Sequence, residues 1–147
     1  MNRLNSQLWL GSCEDAANLD ALKSAGITAV LNMTKEPDPP AVLANLAYLQ
    51  LDQDDGVAMP VTQILLGLIW LDNMVNDLNG VVLIHCAAGI SRTAAMAIAF
   101  LMTVGFSWDE GETLVRAARF YIQPHPLLKE SVLRALQRWP YDGSMQP

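Results

Sequence analysis

The sequence predicts an α/β fold in which a central mixed β-sheet is flanked by helices. Short apolar runs of strand length alternate with segments whose apolar residues recur every three or four positions, as they do in amphipathic helices. The run at residues 81–84 (Val-Val-Leu-Ile) is rich in β-branched residues and follows Asn79-Gly80, which is typical of a strand buried on both faces. The second half of the chain carries mainly helical patterns, so we expect the helices to cover this sheet.

The composition narrows the class of protein. The chain has 147 residues, of which 52% are apolar and 16% are charged, so we expect one folded domain spanning residues 1–147 rather than a disordered chain. A net charge of −6 argues against nucleic-acid and membrane-surface partners. Cys13 and Cys86 are too few for a disulfide framework, and no apolar leader or membrane-length run is present. These features predict a cytoplasmic protein.

The first third of the chain predicts strands and a connecting helix. Residues 8–11 are typical of a short strand, and Ser12 with Asp15 forms a capping-box pattern that starts a helix ending near Gly26. Two further strands are predicted at residues 27–33 and 46–51.

Between these two strands lie three prolines in four positions, at residues 37–40. Proline disrupts regular pairing, so we predict a solvated connecting loop over residues 35–40, with a substrate-facing rim as the alternative.

The remaining elements are predicted to be helices. Thr62 is a candidate N-cap for a helix with an apolar stripe at Ile64, Leu68, Leu71, Val75 and Leu78. Further helices are expected over residues 94–102, from Ser107 (a capping box with Glu110) to about Arg119, and from Pro126 onward. The buried side of the last helix is marked by Leu128, Val132, Leu136 and Trp139, and residues 141–147 are expected to fray.

The stretch His85-Cys86-Ala87-Ala88-Gly89-Ile90-Ser91-Arg92-Thr93 joins the predicted central strand to the next helix. Backbone N–H groups of such a loop, together with a helix N-terminus, form an anion site. Arg92 can grip two oxygens of a phosphate with its planar fork, and Gly89 permits a turn in the middle of the loop. The residue types therefore predict a phosphate cradle.

Cys86 lies at the mouth of this cradle, so its thiol is expected to ionise more readily than that of a free cysteine. A thiolate beneath a held phosphorus atom is a nucleophile in attacking position. The hydroxyl of Thr93 or Ser91 is expected to hydrogen-bond the sulfur. The alternative is a buried structural cysteine beside an arginine that pairs with a carboxylate.

The pattern His-Cys-x-x-Gly-x-x-Arg-[Ser/Thr] resembles the signature of the protein tyrosine phosphatase superfamily, and Ala-Ala-Gly-Ile-Ser-Arg is similar to its dual-specificity branch. Residues 8–32 are also similar to the opening of that family, and the resemblance extends over residues 8–139. It implies a protein tyrosine phosphatase-like fold with the signature loop between the central strand and a helix. It also implies a cysteinyl-phosphate mechanism, with substrate contacts from Ala87, Ala88, Gly89, Ile90, Ser91 and Arg92.

Hydrolysis of a phosphate ester needs a proton donor for the departing oxygen. The residues alone leave Asp52, Asp54 and Asp55 as candidates, or only a turn at Asp54-Asp55-Gly56. The family resemblance places the acid at the end of a Tyr-x-x-Ile-x-x-x-Asp stretch. That position is Asp55, with Asp54 as second choice.

The two histidines are predicted to act within the protein rather than on a metal. His85 is expected to be a hydrogen-bonded partner that orients the loop and favours the thiolate. His125 occupies a position where family members carry an Asn that orients the signature hydroxyl, and it is expected either to donate a comparable hydrogen bond or to face water. Two histidines so spaced match no metal-ligand pattern, so we predict neither metal nor cofactor.

We therefore expect a monomeric phosphatase acting on phosphorylated proteins or peptides. By resemblance, phosphotyrosine and phosphoserine or phosphothreonine are both substrates. The alternatives are a phosphoinositide or RNA 5′-phosphatase built on the same loop, and a non-catalytic module that binds phosphorylated partners. A further alternative is a redox pair of Cys86 with Cys13, against the simpler expectation that Cys13 is a small core residue.

Overall fold

The computed structural model describes residues 1–139 and confirms the predicted mixed sheet flanked by helices. The five strands are β1 (Asn2–Arg3), β2 (Leu8–Gly11), β3 (Ala29–Asn32), β4 (Ala47–Gln50) and β5 (Val82–His85). They lie in the order β1-β2-β5-β3-β4, with β1 antiparallel to β2 and every other pair parallel. The strand predicted from residues 81–84 is therefore at the centre of the sheet.

Seven α-helices cover the sheet in the described part of the chain. They are α1 (Cys13–Ala16), α2 (Leu19–Ser24), α3 (Pro40–Asn45), α4 (Val61–Asp72), α5 (Arg92–Thr103), α6 (Trp108–Ala118) and α7 (Pro126–Leu136). A π-helical turn (Asn73–Asp77) extends α4. Among the residues described, no helix is both long and apolar enough to cross a membrane.

The alternation of side chains along the strands creates two separate cores. Leu10, Leu31 and Ile84 point to one face of the sheet, where they pack with the buried sides of α4, α5, α6 and α7. Val30 and Leu83 point to the other face, where they pack with residues of α1, α2 and α3. The sheet is thus the middle layer of three.

The burial of helix α5 explains why its sequence is so strongly apolar. Nine of its residues are buried, from Thr93 to Leu101, because the helix is packed between the sheet, α6 and α7. Burial on nearly all sides removes the polar face that a surface helix would carry.

The parallel strands end at the same level, and this positions the site. Gly11 at the end of β2 and Asn32 at the end of β3 are both in register with His85 at the end of β5. The loops that follow these three strands therefore meet at one edge of the sheet, which is where ligands bind in open α/β sheets.

The predicted extent of the first helix is wrong. The Ser12–Asp15 capping box is present, but α1 ends at Ala16 and a second helix begins after Asn18, whose side chain accepts a hydrogen bond from the Ala21 N–H. Asn18 caps the second helix because its short amide can bond an unpaired amide of the first turn.

Two other expectations for helices are corrected. Helix α4 begins after Pro60 rather than at a Thr62 N-cap. Its stripe is buried through Val75, but Leu78 is 62% exposed, because the π-helical turn changes the helical repeat and moves Leu78 off the buried face.

The loop predicted over residues 35–40 also differs from the structure. Pro40 begins the short helix α3, since proline is well tolerated in a first turn. Farther along, the Ser107–Glu110 capping box and the start of the last helix at Pro126 are confirmed. The expected fraying of residues 141–147 lies outside the described residues.

Candidate active site

The loop between β5 and α5 is held from outside by its carbonyl groups. The carbonyl of Ala87 accepts from the backbone N–H of Cys13 at 3.0 Å, and that of Ile90 accepts from the backbone N–H of Gln123 at 2.8 Å. Arg119 donates to the two carbonyls between them, Ala88 at 3.0 Å and Gly89 at 2.9 Å. In a trans peptide the N–H points opposite to the C=O, so the amides that follow these four carbonyls face the interior of the loop.

Gly89 is required at its position in this loop. Its φ is +72°, a region that disfavours residues with a side chain. A Cβ there would lie 2.5 Å from the carbonyl oxygen of Gly11 and 2.7 Å from Nη2 of Arg119. Because Gly89 has no Cβ, the Gly11 carbonyl and the Arg119 guanidinium can approach it closely, and the loop turns tightly there as predicted.

Cys86 lies beneath this loop, with 2% of its surface exposed. The hydroxyl of Thr93, which is fully buried in the first turn of α5, donates to Sγ of Cys86 at 3.1 Å. Ser91 does not make this contact and instead accepts a hydrogen bond from the backbone N–H of His125 at 3.0 Å. Of the two hydroxyls left open by the sequence, the structure brings Thr93 to the sulfur.

Arg92 is oriented by two backbone carbonyls. Its Nη1 donates to Gln53 O at 2.7 Å and to Met33 O at 3.3 Å. Its Nε is buried and has no hydrogen-bond partner. Every other buried side-chain nitrogen or oxygen in residues 1–139 has one. Because a buried N–H without an acceptor is unfavourable, this edge of the guanidinium is suited to an anion.

Asp55 lies in the loop between β4 and α4, where it lines a cleft of about 490 Å³ together with Cys86 and Arg92. Asp52 and Asp54 are not among the lining residues. The complete lining is Asp55, Cys86, Ala87, Ala88, Ile90, Ser91, Arg92, Gln123, Pro124, His125 and Pro126. The structure thus brings one of the three candidate aspartates to the phosphate cradle.

Gln53, which no sequence pattern singled out, connects the Asp55 loop to the cradle. Its side chain is buried and donates to the carbonyls of Asp54 at 2.9 Å and Val57 at 3.1 Å. Its own carbonyl receives the hydrogen bond from Arg92. A glutamine in a polar, Asp-rich turn gave no signal of burial.

His85 is fully buried and lies in a hydrogen-bonded network behind the loop. Its Nε2 is 2.7 Å from Oδ2 of Asp38, and its Nδ1 is 3.1 Å from the carbonyl oxygen of Cys86. Asp38 belongs to the proline-rich loop, and its 7% exposure shows that the predicted solvated connector is wrong at this residue. His85 is hydrogen-bonded as expected, whereas its role in orienting the loop and favouring the thiolate stays a prediction.

Tyr48 completes this network. Its hydroxyl donates to Oδ2 of Asp38 at 2.9 Å, and it accepts from Nδ2 of Asn32 at 2.8 Å and from the backbone N–H of Asp38 at 3.0 Å. Burial raises the pKa of Tyr48 above its usual value, and the neighbouring Asp38 carboxylate acts in the same direction. Tyr48 therefore keeps its proton at neutral pH.

The ring of His125 does not donate the hydrogen bond that would replace the Asn of family members at this position. The ring nitrogen Nδ1 caps α7 by accepting from the backbone N–H of Leu127 at 3.1 Å, while the backbone N–H of His125 reaches Ser91. The other edge of the ring lies close to Gly56, where a Cβ would be 3.8 Å from Nε2. The imidazole is therefore placed between the signature loop and the loop that carries Asp55.

Cys13 and Cys86 are both free thiols. Cys13 is exposed at the start of α1, so the expectation of a small core residue is wrong. Its contribution to the site is its backbone N–H, which holds the Ala87 carbonyl.

The chain is similar to known proteins in sequence and in fold. A family model described as "Dual specificity phosphatase, catalytic domain" matches residues 8–138. Dual specificity protein phosphatase 22-A of Danio rerio is 32% identical over 126 residues, covering 85% of this chain and 60% of that protein. The chain thus spans about three fifths of the length of this relative.

Solved structures show the same fold. The crystal structure of human DUSP28 superposes with a TM-score of 0.84 at 25% identity, covering 93% of this chain and 96% of that one. The crystal structure of human tyrosine phosphatase-like serine/threonine/tyrosine-interacting protein superposes with a TM-score of 0.83 at 27% identity, covering 96% and 98%. The family match over nearly the whole described chain, together with the cysteine cradle, leads to one conclusion: the chain belongs to the family of dual specificity phosphatase catalytic domains.

Proposed function

We propose that the chain is a phosphoprotein phosphatase that hydrolyses phosphotyrosine and phosphoserine or phosphothreonine through a cysteinyl-phosphate intermediate. One observation carries the proposal. A single cleft is lined by Cys86, Arg92 and Asp55, and the buried Nε of Arg92 has no hydrogen-bond partner within the described residues. A nucleophile, an anion clamp and a proton donor are the three groups that phosphoryl transfer through an enzyme nucleophile requires.

In the first step, the substrate phosphate occupies the loop and the Cys86 thiolate attacks phosphorus. The S–P bond forms as the ester P–O bond breaks, and Asp55 in its acid form gives its proton to the departing oxygen. The products are the free hydroxyl of the substrate and a cysteinyl-phosphate. Arg92 and the inward-facing amides hold the equatorial oxygens while charge redistributes.

In the second step, the Asp55 carboxylate takes a proton from water as the water oxygen attacks phosphorus. The S–P bond breaks, inorganic phosphate leaves, and Cys86 returns to the thiolate. The Thr93 hydroxyl, 3.1 Å from Sγ, stabilises the departing sulfur through its hydrogen bond.

The lining of the cleft supports a phosphoprotein as substrate. Ala87, Ala88 and Ile90 present no charge, and Arg92 is the only lysine or arginine among the described residues that line the cleft. Additional phosphates on a phosphoinositide headgroup would find no second guanidinium or ammonium there. Phosphoinositides and 5′-phosphorylated RNA remain the runner-up substrates.

A non-catalytic phospho-binding role is the second candidate function. The name of one structural neighbour is that of a phosphatase-like interacting protein, and the shared fold alone does not separate binding from turnover. The presence of a cysteine, an arginine and an aspartate in one cleft favours turnover for this chain.

The test is a substrate panel with purified protein. We expect hydrolysis of p-nitrophenyl phosphate and of phosphotyrosine and phosphothreonine peptides, in preference to phosphoinositides and 5′-phosphorylated RNA. Preference for the lipid or the RNA would overturn the substrate class. Phosphopeptide binding without any turnover would establish the binding module instead.

Two variants test the proposed roles. Cys86→Ser should abolish turnover and leave anion binding largely intact. Asp55→Asn should lower kcat most for substrates with poor leaving groups, whereas the matched control Asp54→Asn should behave as the wild type, because Asp54 does not line the cleft. If Asp54→Asn lowered kcat while Asp55→Asn behaved as the wild type, Asp55 would not be the acid.

A further inference from the structure

Two exposed aromatic residues, Phe120 and Tyr121, follow helix α6. Phe120 is 79% exposed, more than any other large apolar residue in residues 1–139, and Tyr121 is 44% exposed. Their ring centroids are 5.0 Å apart and the rings meet edge to face at 88°, which is a favourable arrangement for two aromatic rings. Single exposed apolar residues are common, but an ordered pair of aromatic rings in water is typical of a binding surface.

The segment that carries this pair runs along the signature loop. Arg119, directly before the pair, donates to two carbonyls of the loop, and the backbone N–H of Gln123, shortly after it, donates to a third. The backbone N–H of Ile122 donates to the Arg119 carbonyl at 3.2 Å, so the aromatic pair forms the centre of a turn. The four residues after Ile122 line the cleft. The pair is therefore continuous with the wall of the cleft.

Both rings are held in place before any ligand binds. Cζ of Arg119 lies 4.8 Å from the centroid of the Tyr121 ring, which is a cation–π contact. The same guanidinium donates to the carbonyl of Ala88, a residue that lines the cleft. Tyr121 is thereby fixed beside the Ala88 side of the cleft, and Phe120 packs on Tyr121. A surface that is already ordered loses little conformational entropy when it binds.

The charges near the pair indicate which kind of substrate side chain it can accept. Arg119 is 4% exposed, and its three nitrogens all donate to oxygens of the protein. It is therefore not available to an anion of the substrate. The loop of Asp55 adds a second exposed carboxylate, Asp54. An acidic residue or a second phosphate on the substrate would thus meet no free cation beside the aromatic pair, whereas an apolar side chain would be removed from water by the two rings.

We propose that Phe120 and Tyr121 form an apolar subsite for a substrate side chain close in sequence to the phosphorylated residue, and that this side chain is hydrophobic, such as leucine or phenylalanine. The inference rests on the proposed phosphatase function and narrows its substrate class to phosphopeptides with a hydrophobic neighbour. While the phosphate occupies the cradle, the rest of the peptide leaves the cleft across its wall. An extended peptide advances about 3.3–3.6 Å per residue, so a nearby residue can cover the pair.

Phosphotyrosine peptides test the inference. In a peptide with alanine at all remaining positions, leucine, phenylalanine or aspartate replaces each neighbour of phosphotyrosine in turn, and kcat/KM is measured with the purified wild type. We expect one position at which leucine and phenylalanine raise kcat/KM by about tenfold over alanine, because an apolar side chain is buried there, while aspartate does not. If no position favoured a hydrophobic side chain, or if aspartate were preferred, the proposal would be wrong.

Variants of Phe120 identify the subsite. In Phe120→Ala, the leucine-to-alanine ratio of kcat/KM should fall from about tenfold to about one, and a ratio within one variant cancels any general loss of activity. Phe120→Leu keeps an apolar side chain and should largely retain the ratio. The matched control is Leu78→Ala, because Leu78 is 62% exposed but precedes β5, at the end of the sheet away from the cleft. An unchanged ratio in Phe120→Ala would show that Phe120 does not form the subsite.

Binding measurements separate this inference from the phosphatase function. The dissociation constants of the same peptides are measured by fluorescence anisotropy with Cys86→Ser, which should still hold the phosphate. We expect the leucine peptide to bind about tenfold more tightly than the alanine peptide, and this difference to disappear when Phe120→Ala is added. Absence of wild-type turnover would refute the phosphatase function, while the ratio of dissociation constants would still decide whether the subsite exists.

Discussion

Arg92→Lys is expected to damage phosphate binding although it keeps the positive charge. The Nη1 of Arg92 is already used by the carbonyls of Gln53, at 2.7 Å, and Met33, at 3.3 Å, and the buried Nε is a separate donor. The guanidinium can therefore be held in place and bind an anion through different nitrogens. Lysine has a single nitrogen, so the same atom would have to serve both purposes.

The magnitude follows from the number of donors lost. Losing one hydrogen bond to a charged oxygen costs about 1.5–3 kcal/mol, which corresponds to a reduction of about 10- to 150-fold in kcat/KM. The assay is hydrolysis of p-nitrophenyl phosphate over a range of substrate concentrations, with inhibition by inorganic phosphate measured in parallel. Both kcat/KM and the affinity for phosphate should fall.

A matched control is available on α7, where Arg134 forms an exposed ion pair with Glu130. Arg134→Lys should leave the kinetics unchanged, because this pair lies outside the cleft. If Arg92→Lys retained kcat/KM within about threefold of the wild type, it would be wrong that different nitrogens of Arg92 bind the two carbonyls and the anion.

Four further predictions address the site and the fold. Thr93→Val should slow breakdown of the cysteinyl-phosphate by about tenfold through loss of the hydrogen bond to Cys86, seen as a burst of p-nitrophenol in stopped flow; a trace without a burst would contradict it. Ser107→Ala should reduce the free energy of unfolding by about 1 kcal/mol in urea titrations. The hydrogen bond from the Ser107 backbone N–H lowers the pKa of Glu110. The stability from this contact is therefore present above the usual glutamate pKa and is lost as pH falls through the folded-state pKa. If the stability of Glu110→Gln depended on pH as the wild type does, this reasoning would be refuted. Leu68→Ala should cost about 2–5 kcal/mol because Leu68 is fully buried, and a loss under about 1 kcal/mol would contradict its place in the core.

The strands and the capped helices could be predicted because their signals are local. The run at residues 81–84 is apolar at every position, and it forms the central strand because only a strand between two layers excludes polar residues on both faces. Ser107 and Glu110 bond each other across three residues, so their sequence spacing is sufficient to identify the start of α6.

Features that depend on tertiary contacts could not be predicted in the same way. Asp38 lies among three prolines and is indistinguishable in sequence from a solvated aspartate, and only the approach of His85 and Tyr48 accounts for its burial. Leu78 fits the helical stripe at an ideal repeat, and its exposure arises from a π-helical turn that the apolar pattern does not encode.

The sequence predicted that Cys86 and Arg92, the proposed nucleophile and anion clamp, share one loop with the supporting hydroxyl of Thr93, but it did not predict the contacts of Gln53 and Arg119. The motif holds Cys86 and Arg92 within seven residues of each other, so their proximity follows from one tight loop. The groups that hold this loop, Gln53 and Arg119, come from distant parts of the chain and carry no local pattern.

Arg119 links the loop to the first strand of the sheet. Besides the carbonyls of Ala88 and Gly89, its guanidinium donates to Oδ1 of Asn2 at 2.7 Å, across 117 positions of sequence. The curvature of the cradle is therefore held by groups of the protein itself, and we expect an oxyanion to bind with little backbone adjustment. One arginine side chain thus bridges the outer strand, remote from the cleft, and the signature loop.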